Sequence, residues 1–183
     1  MDLNLLEADQ DAAKIAAAQR DGHAFEALYL DYAQPVYRYL YSRVGQIVEA
    51  EELTAQTFLA ALEKLPAYQH KGHFAAWLFS IARNKAADYF RGRGRQAFVE
   101  DVDDIRMELD LQKDVEDAES VRALQQQISA LAEGERELLR LRYVADLSFN
   151  EIAILLKRKT DAVKKTLYRL LARLESQLED SRD

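Results

Sequence analysis

The feature that most limits how this chain can fold is an acidic stretch near its middle. The 25 residues from Gln96 to Ser120 contain ten carboxylates and only two cations, Arg106 and Lys113. A segment with so much charge and so few aromatic residues cannot bury enough apolar surface to pack into a core. We therefore predict a solvated linker here, with a transient helix at Ile105 to Leu111.

The sequence on either side of this stretch predicts two small helical domains. The chain of 183 residues has six glycines, two prolines and long segments rich in Ala, Leu, Glu and Arg, a composition that favours helix over strand. We predict an all-α fold with a first domain at residues 1–95, an acidic linker at 96–120 and a second domain at 121–183. Apolar periodicity places the helices at Asp9–Arg20, His23–Val44 with a kink or break at Pro35, Val48–Lys64, His73–Arg91, Val121–Leu131, Glu133–Val144, Phe149–Leu156 and Asp161–Gln177.

Several classes of protein are disfavoured by what the sequence lacks. Without cysteine there are no disulfides and no thiolate metal sites, and His70 and His73 are too few to form a metal site and are expected to be exposed loop residues. No nucleophile–base set, phosphate loop or dinucleotide motif appears, so we predict no catalytic residues and no cofactor. Residues Met1 to Gln10 do not resemble a signal peptide, and the longest apolar run, Phe74 to Ala82, is too short to span a membrane. We expect a cytoplasmic protein with no direct membrane insertion.

The negative net charge of the chain conceals two basic segments. The net charge of the chain is −7, yet Arg83 to Arg95 carries five cations against one acid and Lys157 to Arg173 carries seven against one. Two cationic segments separated by an anionic one suggest a protein that contacts two phosphate-lined sites. The alternative is that these cations only keep amphipathic helices soluble.

The second basic segment belongs to a helix-turn-helix pattern. Ser148 and Glu151 have the spacing of a capping box, which predicts that a helix begins at Phe149. A polar turn at Lys157 to Thr160 separates this helix from a longer one, and a short helix, a tight turn and a longer helix form the DNA-binding arrangement. Side chains on the outward face of the longer helix could meet phosphates or purine edges in a major groove; they are Asp161, Lys164, Lys165, Tyr168 and Arg169.

These motifs resemble conserved regions of the bacterial extracytoplasmic-function sigma factors, a group of the sigma-70 superfamily. Leu147–Ala153 and Val163–Arg169 resemble region 4 of the family. The segments that resemble region 2 are Phe25–Tyr29, Val36–Leu40, Glu49–Leu53, Gln56–Phe58, Phe74–Asn84 and Asp88–Arg91. The resemblance implies a sigma factor that binds core RNA polymerase, recognises the minus-35 and minus-10 promoter elements and promotes transcription initiation, in a stress or envelope response. It also implies an anti-sigma factor as a further partner.

The resemblance assigns three groups of site residues. Those for the clamp helices of the largest polymerase subunit are Glu49, Glu51, Glu52 and Gln56, although a merely solvated acidic face would look the same. The residues assigned to the minus-10 element form two groups. The loop Pro66–His73 would capture a flipped base with Tyr68, His70 and Lys71. The next helix contributes Trp77, Asn84, Asp88 and Arg91. Trp77 is either a core residue or an edge for the melted strand. Those for the minus-35 element are Arg142, Asp161, Lys164, Lys165, Tyr168 and Arg169.

Three points stay open in the sequence. Lys157 stands where many relatives carry glycine, so either it adopts a strained left-handed conformation or the turn is built differently. The pair Lys165 and Thr166 departs from the commoner Ser-Arg of the family, which leaves the promoter preference undefined. The acidic linker is either a spacer or a polyanion that occupies the path later taken by RNA. The rival function is a free-standing helix-turn-helix regulator that binds duplex DNA without polymerase.

Overall fold

The computed structural model describes residues 3–93 and 115–180, and all regular structure within these two ranges is helical. The first range, called here the first module, contains α1 (Leu3–Arg20), α2 (Phe25–Val44), α3 (Ile47–Lys64) and α4 (Phe74–Arg93). The second module contains α5 (Val115–Ser129), α6 (Glu133–Leu139), α7 (Phe149–Leu156) and α8 (Thr160–Asp180), and α6 continues into a wider π-helical turn at Arg140–Val144. The predicted all-α fold is confirmed. No helix among the described residues is long and apolar enough to cross a membrane.

Two local expectations differ from the structure. The predicted break at Pro35 does not occur, since α2 runs without interruption from Phe25 to Val44. Leu28 and Leu40, one on each side of the proline, are both fully buried, and their packing outweighs the roughly 3 kcal/mol that an interior proline costs a helix. Helix α5 begins at Val115, six residues before the predicted start. The rest of the predicted linker, including the expected helix at 105–111, lies outside the described residues.

The core of the first module is formed where α2 packs against α3 and α4. Its central side chains are large and completely or almost completely buried, namely Leu28, Tyr39, Leu40, Leu65, Phe74, Leu78 and Phe79. Tyr29, one residue after the buried Leu28, is 44% exposed, and its ring makes an edge contact with Phe58 at 4.8 Å between centroids. Helix α1 lies against α2 and contributes the buried Ile15.

The second module is built around α7 and α8, with α5 and α6 packed against α8. Its buried apolar side chains include Leu138, Leu141, Ile152, Val163, Leu167 and Leu170. The two modules also pack on one another, because α2 contacts the π-helical turn and α4 contacts α7. The buried residues of both modules belong to one continuous apolar cluster.

Candidate functional site

The loop between α3 and α4 is fastened to the N-terminal helix by one side chain. The Nε2 group of Gln19 on α1 donates hydrogen bonds to the carbonyl oxygens of Leu65, at 2.9 Å, and Tyr68, at 2.7 Å. Gly72 has a φ of +75°, a left-handed conformation in which glycine avoids the strain that a Cβ atom would bring. The loop predicted to capture a base therefore has a defined conformation. Sequence reasoning missed Gln19, because a polar residue near the end of a helix carries no signal for a contact 49 residues away.

Tyr68 lies within a group of aromatic rings at the base of this loop. Its ring centroid is 4.6 Å from that of Trp77, 5.7 Å from Phe74 and 6.2 Å from His70. Burial, and then the negative charge of Asp11, raises the pKa of Tyr68 to about 12, so the phenol stays protonated into the alkaline range.

The other loop residues differ in what they leave accessible. The expectation that His70 and His73 are exposed is wrong, because both are half-buried. The Nδ1 atom of His70 is enclosed without a hydrogen-bond partner among the described residues. Lys71 is exposed. Trp77 is half-buried against Phe74, at 5.4 Å between ring centroids, so it belongs to the aromatic packing and still presents part of its ring to solvent.

The outward side of α4 carries the remaining residues predicted for the minus-10 element. Asn84, Asp88 and Arg91 are all exposed, and Asp88 and Arg91 form an ion pair with each other. Asp88 also lines a shallow cleft of about 170 Å³ between α3 and α4, together with Glu49, Glu52 and Gln56. The structure thus places one residue predicted for the minus-10 element, Asp88, directly beside three predicted for the polymerase.

The helix-turn-helix has the expected cap and an unexpected turn residue. Ser148 and Glu151 form a reciprocal capping box, in which the Ser148 amide donates to Glu151 at 2.7 Å and the Glu151 amide donates to the Ser148 hydroxyl oxygen at 3.3 Å. Helix α7 ends at Lys157, which has φ 53° and ψ 45°. The Arg158 amide then donates to the Ala153 carbonyl at 2.8 Å, the closing bond of a Schellman-type helix end. Of the two possibilities for Lys157, the structure has the left-handed one.

The outward face of α8 is organised around the ring of Phe149. The residues predicted to contact DNA from this helix are all exposed, namely Asp161, Lys164, Lys165, Tyr168 and Arg169. Lys164 Nζ lies 5.6 Å from the Phe149 ring centroid, and the Tyr168 ring lies 5.9 Å from it. The sequence predicted that a helix begins at Phe149 and did not indicate these contacts with α8.

Arg142 joins the same cluster but is more constrained than the α8 side chains. Its guanidinium carbon lies 5.4 Å from the Phe149 ring centroid. One of its nitrogens donates to the Leu147 carbonyl at 3.0 Å and lies 3.5 Å from Asp146. Arg142 thereby fixes the segment that leads into α7.

A mixed apolar and acidic stripe runs along α3. Glu51 and Glu52 are exposed, whereas Glu49 and Gln56 are half-buried, and Gln56 donates to Glu52 at 3.0 Å. Three large apolar side chains share the stripe with Glu52, because Glu52, Leu59 and Leu62 follow Val48 by 4, 11 and 14 residues. The three are exposed, namely Val48 at 70%, Leu59 at 59% and Leu62 at 38%. Apolar residues clustered on a surface mark contact sites. The sequence analysis did not identify these three apolar residues, although their helical spacing relative to Glu52 indicates that they share its face of α3.

Both modules match known sequence families. The Sigma-70 region 2 family model matches residues 28–96, and the Sigma-70 region 4 model matches residues 121–174. The chain is 34% identical to the ECF RNA polymerase sigma factor BldN of Streptomyces coelicolor, over 94% of this chain and 69% of that protein. This chain belongs to the ECF sigma factors. It is also 30% identical to the ECF sigma factor SigD of Mycobacterium tuberculosis, over 92% of this chain and 83% of the relative.

Solved structures share the fold of this ECF sigma factor. CnrH, determined in complex with the cytosolic domain of CnrY, superposes with a TM-score of 0.66 at 22% identity, covering 92% of this chain and 96% of CnrH. The sigma factor RpoE from Bartonella quintana, determined in complex with the anti-sigma factor NepR, superposes with a TM-score of 0.65 at 21% identity, covering 85% of this chain and 96% of that one. The chain is therefore an RNA polymerase sigma factor with a helix-turn-helix in its region 4.

Proposed function

We propose that this sigma factor divides promoter recognition among the three surfaces described above. The α3 stripe binds the clamp helices of the largest polymerase subunit. The α3–α4 loop and the outward side of α4 bind the unpaired minus-10 strand, and the α8 face reads the minus-35 duplex. The observation that carries the proposal is that each of the three surfaces presents exposed side chains on one chain of the ECF sigma family.

The minus-10 assignment rests on the chemistry of the loop. Aromatic rings such as Tyr68 and the accessible part of Trp77 can stack on an extruded base, and Lys71 supplies charge for the backbone beside it. Since Gln19 fixes the loop before DNA arrives, less conformational entropy is lost when the base is captured.

The minus-35 assignment rests on the contrast between the inner and outer sides of α8. Val163, Leu167 and Leu170 are buried, while the cations on the opposite side are exposed. The Ser148–Glu151 cap and the ring of Phe149 fix the orientation of this face relative to α7. A positioned cationic face on the second helix is what major-groove binding needs.

The α3 stripe and the anti-sigma partner complete the proposal. An apolar stripe flanked by acids fits a basic helical coiled coil, with the acids directing association and the apolar side chains supplying affinity. An anti-sigma partner is proposed because the superposable sigma factor RpoE was determined in complex with the anti-sigma factor NepR. Cytoplasmic location follows from this function, because polymerase and promoter DNA are there.

The experiment is run-off transcription with purified core polymerase on a library of promoters. The variant Lys164→Gln/Arg169→Gln should lose dependence on the minus-35 sequence and still bind core polymerase. Each lost phosphate contact should also lower the slope of log affinity against log salt by about 0.9. The matched control Gln125→Glu/Gln126→Glu changes the net charge by the same amount at exposed positions of α5 and should keep both properties.

The outcomes separate the two candidate functions. A chain that binds no core polymerase and directs no transcript would refute the proposal. Tight duplex binding without polymerase would instead support the free-standing regulator. Equal losses in the α8 variant and the α5 control would show that overall charge, not the α8 face, governs binding.

A further inference from the structure

The turn of the helix-turn-helix carries an arginine that is held at both ends. The backbone amide of Arg158 donates to the Ala153 carbonyl at 2.8 Å and closes the end of α7. Its guanidinium reaches across to α8, where the Nη2 group donates to the Thr166 hydroxyl oxygen at 2.8 Å. That hydroxyl in turn donates to the Ala162 carbonyl at 2.7 Å, which fixes its orientation. Both the backbone and the charged end of Arg158 therefore have a defined position.

The charge of Arg158 is not neutralised by the described parts of the fold. Arg142 and Arg173 each pair with a carboxylate of the second module, at 3.5 Å and 2.8 Å. Among the side chains that the structure describes, no carboxylate pairs with Arg158, and its chain neighbours Lys157 and Lys159 are also exposed cations. Holding so long a side chain in one place costs rotamer entropy, which a bond to one neutral hydroxyl offsets only in part. Three consecutive cations create a positive potential, so the arrangement is suited to binding an anion.

Arg158 lies at one margin of the outward face of α8. Thr166, which holds it, precedes Arg169 of that face by three residues, and residues three apart are neighbours on a helix. Lys164 and Tyr168 are each two residues from Thr166, which places them about 200° around the helix, at the opposite margin. Cations therefore stand on both flanks of α8.

We propose that Arg158 binds a phosphate of the minus-35 duplex, on the strand that runs past the Thr166 side of α8, and that Thr166 positions it for this contact. A helix about 10–12 Å wide fills a major groove about 12 Å wide, so its two flanks meet the two phosphate strands. A guanidinium has more N–H donors than the one that Thr166 accepts, and its planar fork matches phosphate oxygens. Phosphate contacts fix the register of a helix in the groove. This inference rests on the proposed function and adds to it a residue of the turn.

Promoter binding by the reconstituted holoenzyme tests the phosphate contact. Core polymerase loaded with the wild-type or variant chain is titrated against a fluorescent promoter duplex at several salt concentrations. Arg158→Gln should weaken binding about tenfold, as a lost hydrogen bond to a charged group does, and should lower the slope of log affinity against log salt by about 0.9. Because a phosphate carries no sequence information, the loss should be equal across a library of minus-35 sequences. The matched control Arg122→Gln removes an exposed cation of α5 and should keep both the affinity and the slope.

A second set of variants tests Thr166 as a positioning residue. Thr166→Val removes the hydroxyl and keeps the cation, so the affinity for the promoter should fall about two- to tenfold while the salt slope stays at the wild-type value. Thr166→Ser should restore the affinity. In the Arg158→Gln background, Thr166→Val should have no further effect, because the two residues act through one contact. A further loss of affinity in that double variant would overturn the positioning role.

The outcomes separate this contact from the function of the whole chain. A loss in Arg158→Gln no larger than that in Arg122→Gln would overturn the phosphate contact. A loss confined to certain minus-35 sequences would overturn it as well, since it would show that Arg158 reads bases. Failure of the wild-type chain to bind core polymerase or the promoter would refute the proposed function itself. Both arginines are exposed, so both variants should fold, which circular dichroism checks.

Discussion

Replacing Lys157 by glycine should stabilise the second module by about 0.5–1 kcal/mol. Lys157 has φ 53° and ψ 45°, where the Cβ atom of an L-residue crowds the following carbonyl at a cost of about 1–2 kcal/mol. Glycine removes that strain, but its greater conformational freedom in the unfolded chain reduces the gain in stability by about 0.4–1 kcal/mol. The Lys157 side chain is exposed, so little packing is lost.

Thermal unfolding followed by circular dichroism measures this effect. For a protein of this size, 0.5–1 kcal/mol corresponds to a rise in Tm of about 1–4 °C. Lys157→Ala is the control, because alanine removes the same charge and keeps the Cβ atom, so it should bring no gain. A Lys157→Gly protein that is less stable than wild type, or an alanine variant that gains equally, would show that the turn is not strained in solution.

Two further changes test single contacts of the proposed surfaces. Gln19→Ala removes two hydrogen bonds to loop carbonyls, worth about 0.5–1.5 kcal/mol each, so permanganate footprinting should show promoter opening reduced several-fold at unchanged affinity for core polymerase. The control is Arg20→Ala, at the exposed neighbouring residue, which should have no effect. Equal promoter opening in the two variants would show that Gln19 does not contribute to opening. Leu59→Ala should weaken core polymerase binding by about tenfold or more, since burying a leucine side chain is worth about 1.5–3 kcal/mol. The control Ile154→Ala, at another exposed apolar position, should not weaken binding to core polymerase. If a fluorescence titration showed comparable losses of affinity in the two variants, the α3 stripe would not be the binding surface.

Local features of the fold could be predicted where one short segment determines them. The capping box was readable because Ser148 and Glu151 are three residues apart and bond only to each other's backbone. The bounds predicted for α7 match the structure because that cap begins the helix and Lys157 ends it. The outward face of α8 followed from apolar periodicity, since Val163, Leu167 and Leu170 had to face inward.

Features that depend on distant parts of the chain could not be predicted. Glu137 looks like a member of an ordinary acidic helix surface, beside Glu133 and Glu135, and its burial depends on Tyr39, 98 residues earlier. Tyr29 has the helical spacing of a core residue of α2 but lies at the margin of the core, where it is 44% exposed and contacts Phe58 of α3. The roles assigned to individual site residues likewise stay predictions, because they concern partners and not the packing of the chain.

The ring of Phe149 is shared by three of the residues proposed to contact the minus-35 duplex. This one ring is approached by the side chains of Lys164, Tyr168 and Arg142. The position of each side chain therefore depends on the space that the other two occupy. A substitution at one of these three residues changes how the other two pack on the Phe149 ring. The effects of the three substitutions on promoter choice should therefore not be additive. Promoter preference in this sigma factor would then evolve through coordinated changes around Phe149, and a library that varies these positions together should yield new specificities that stepwise substitution misses.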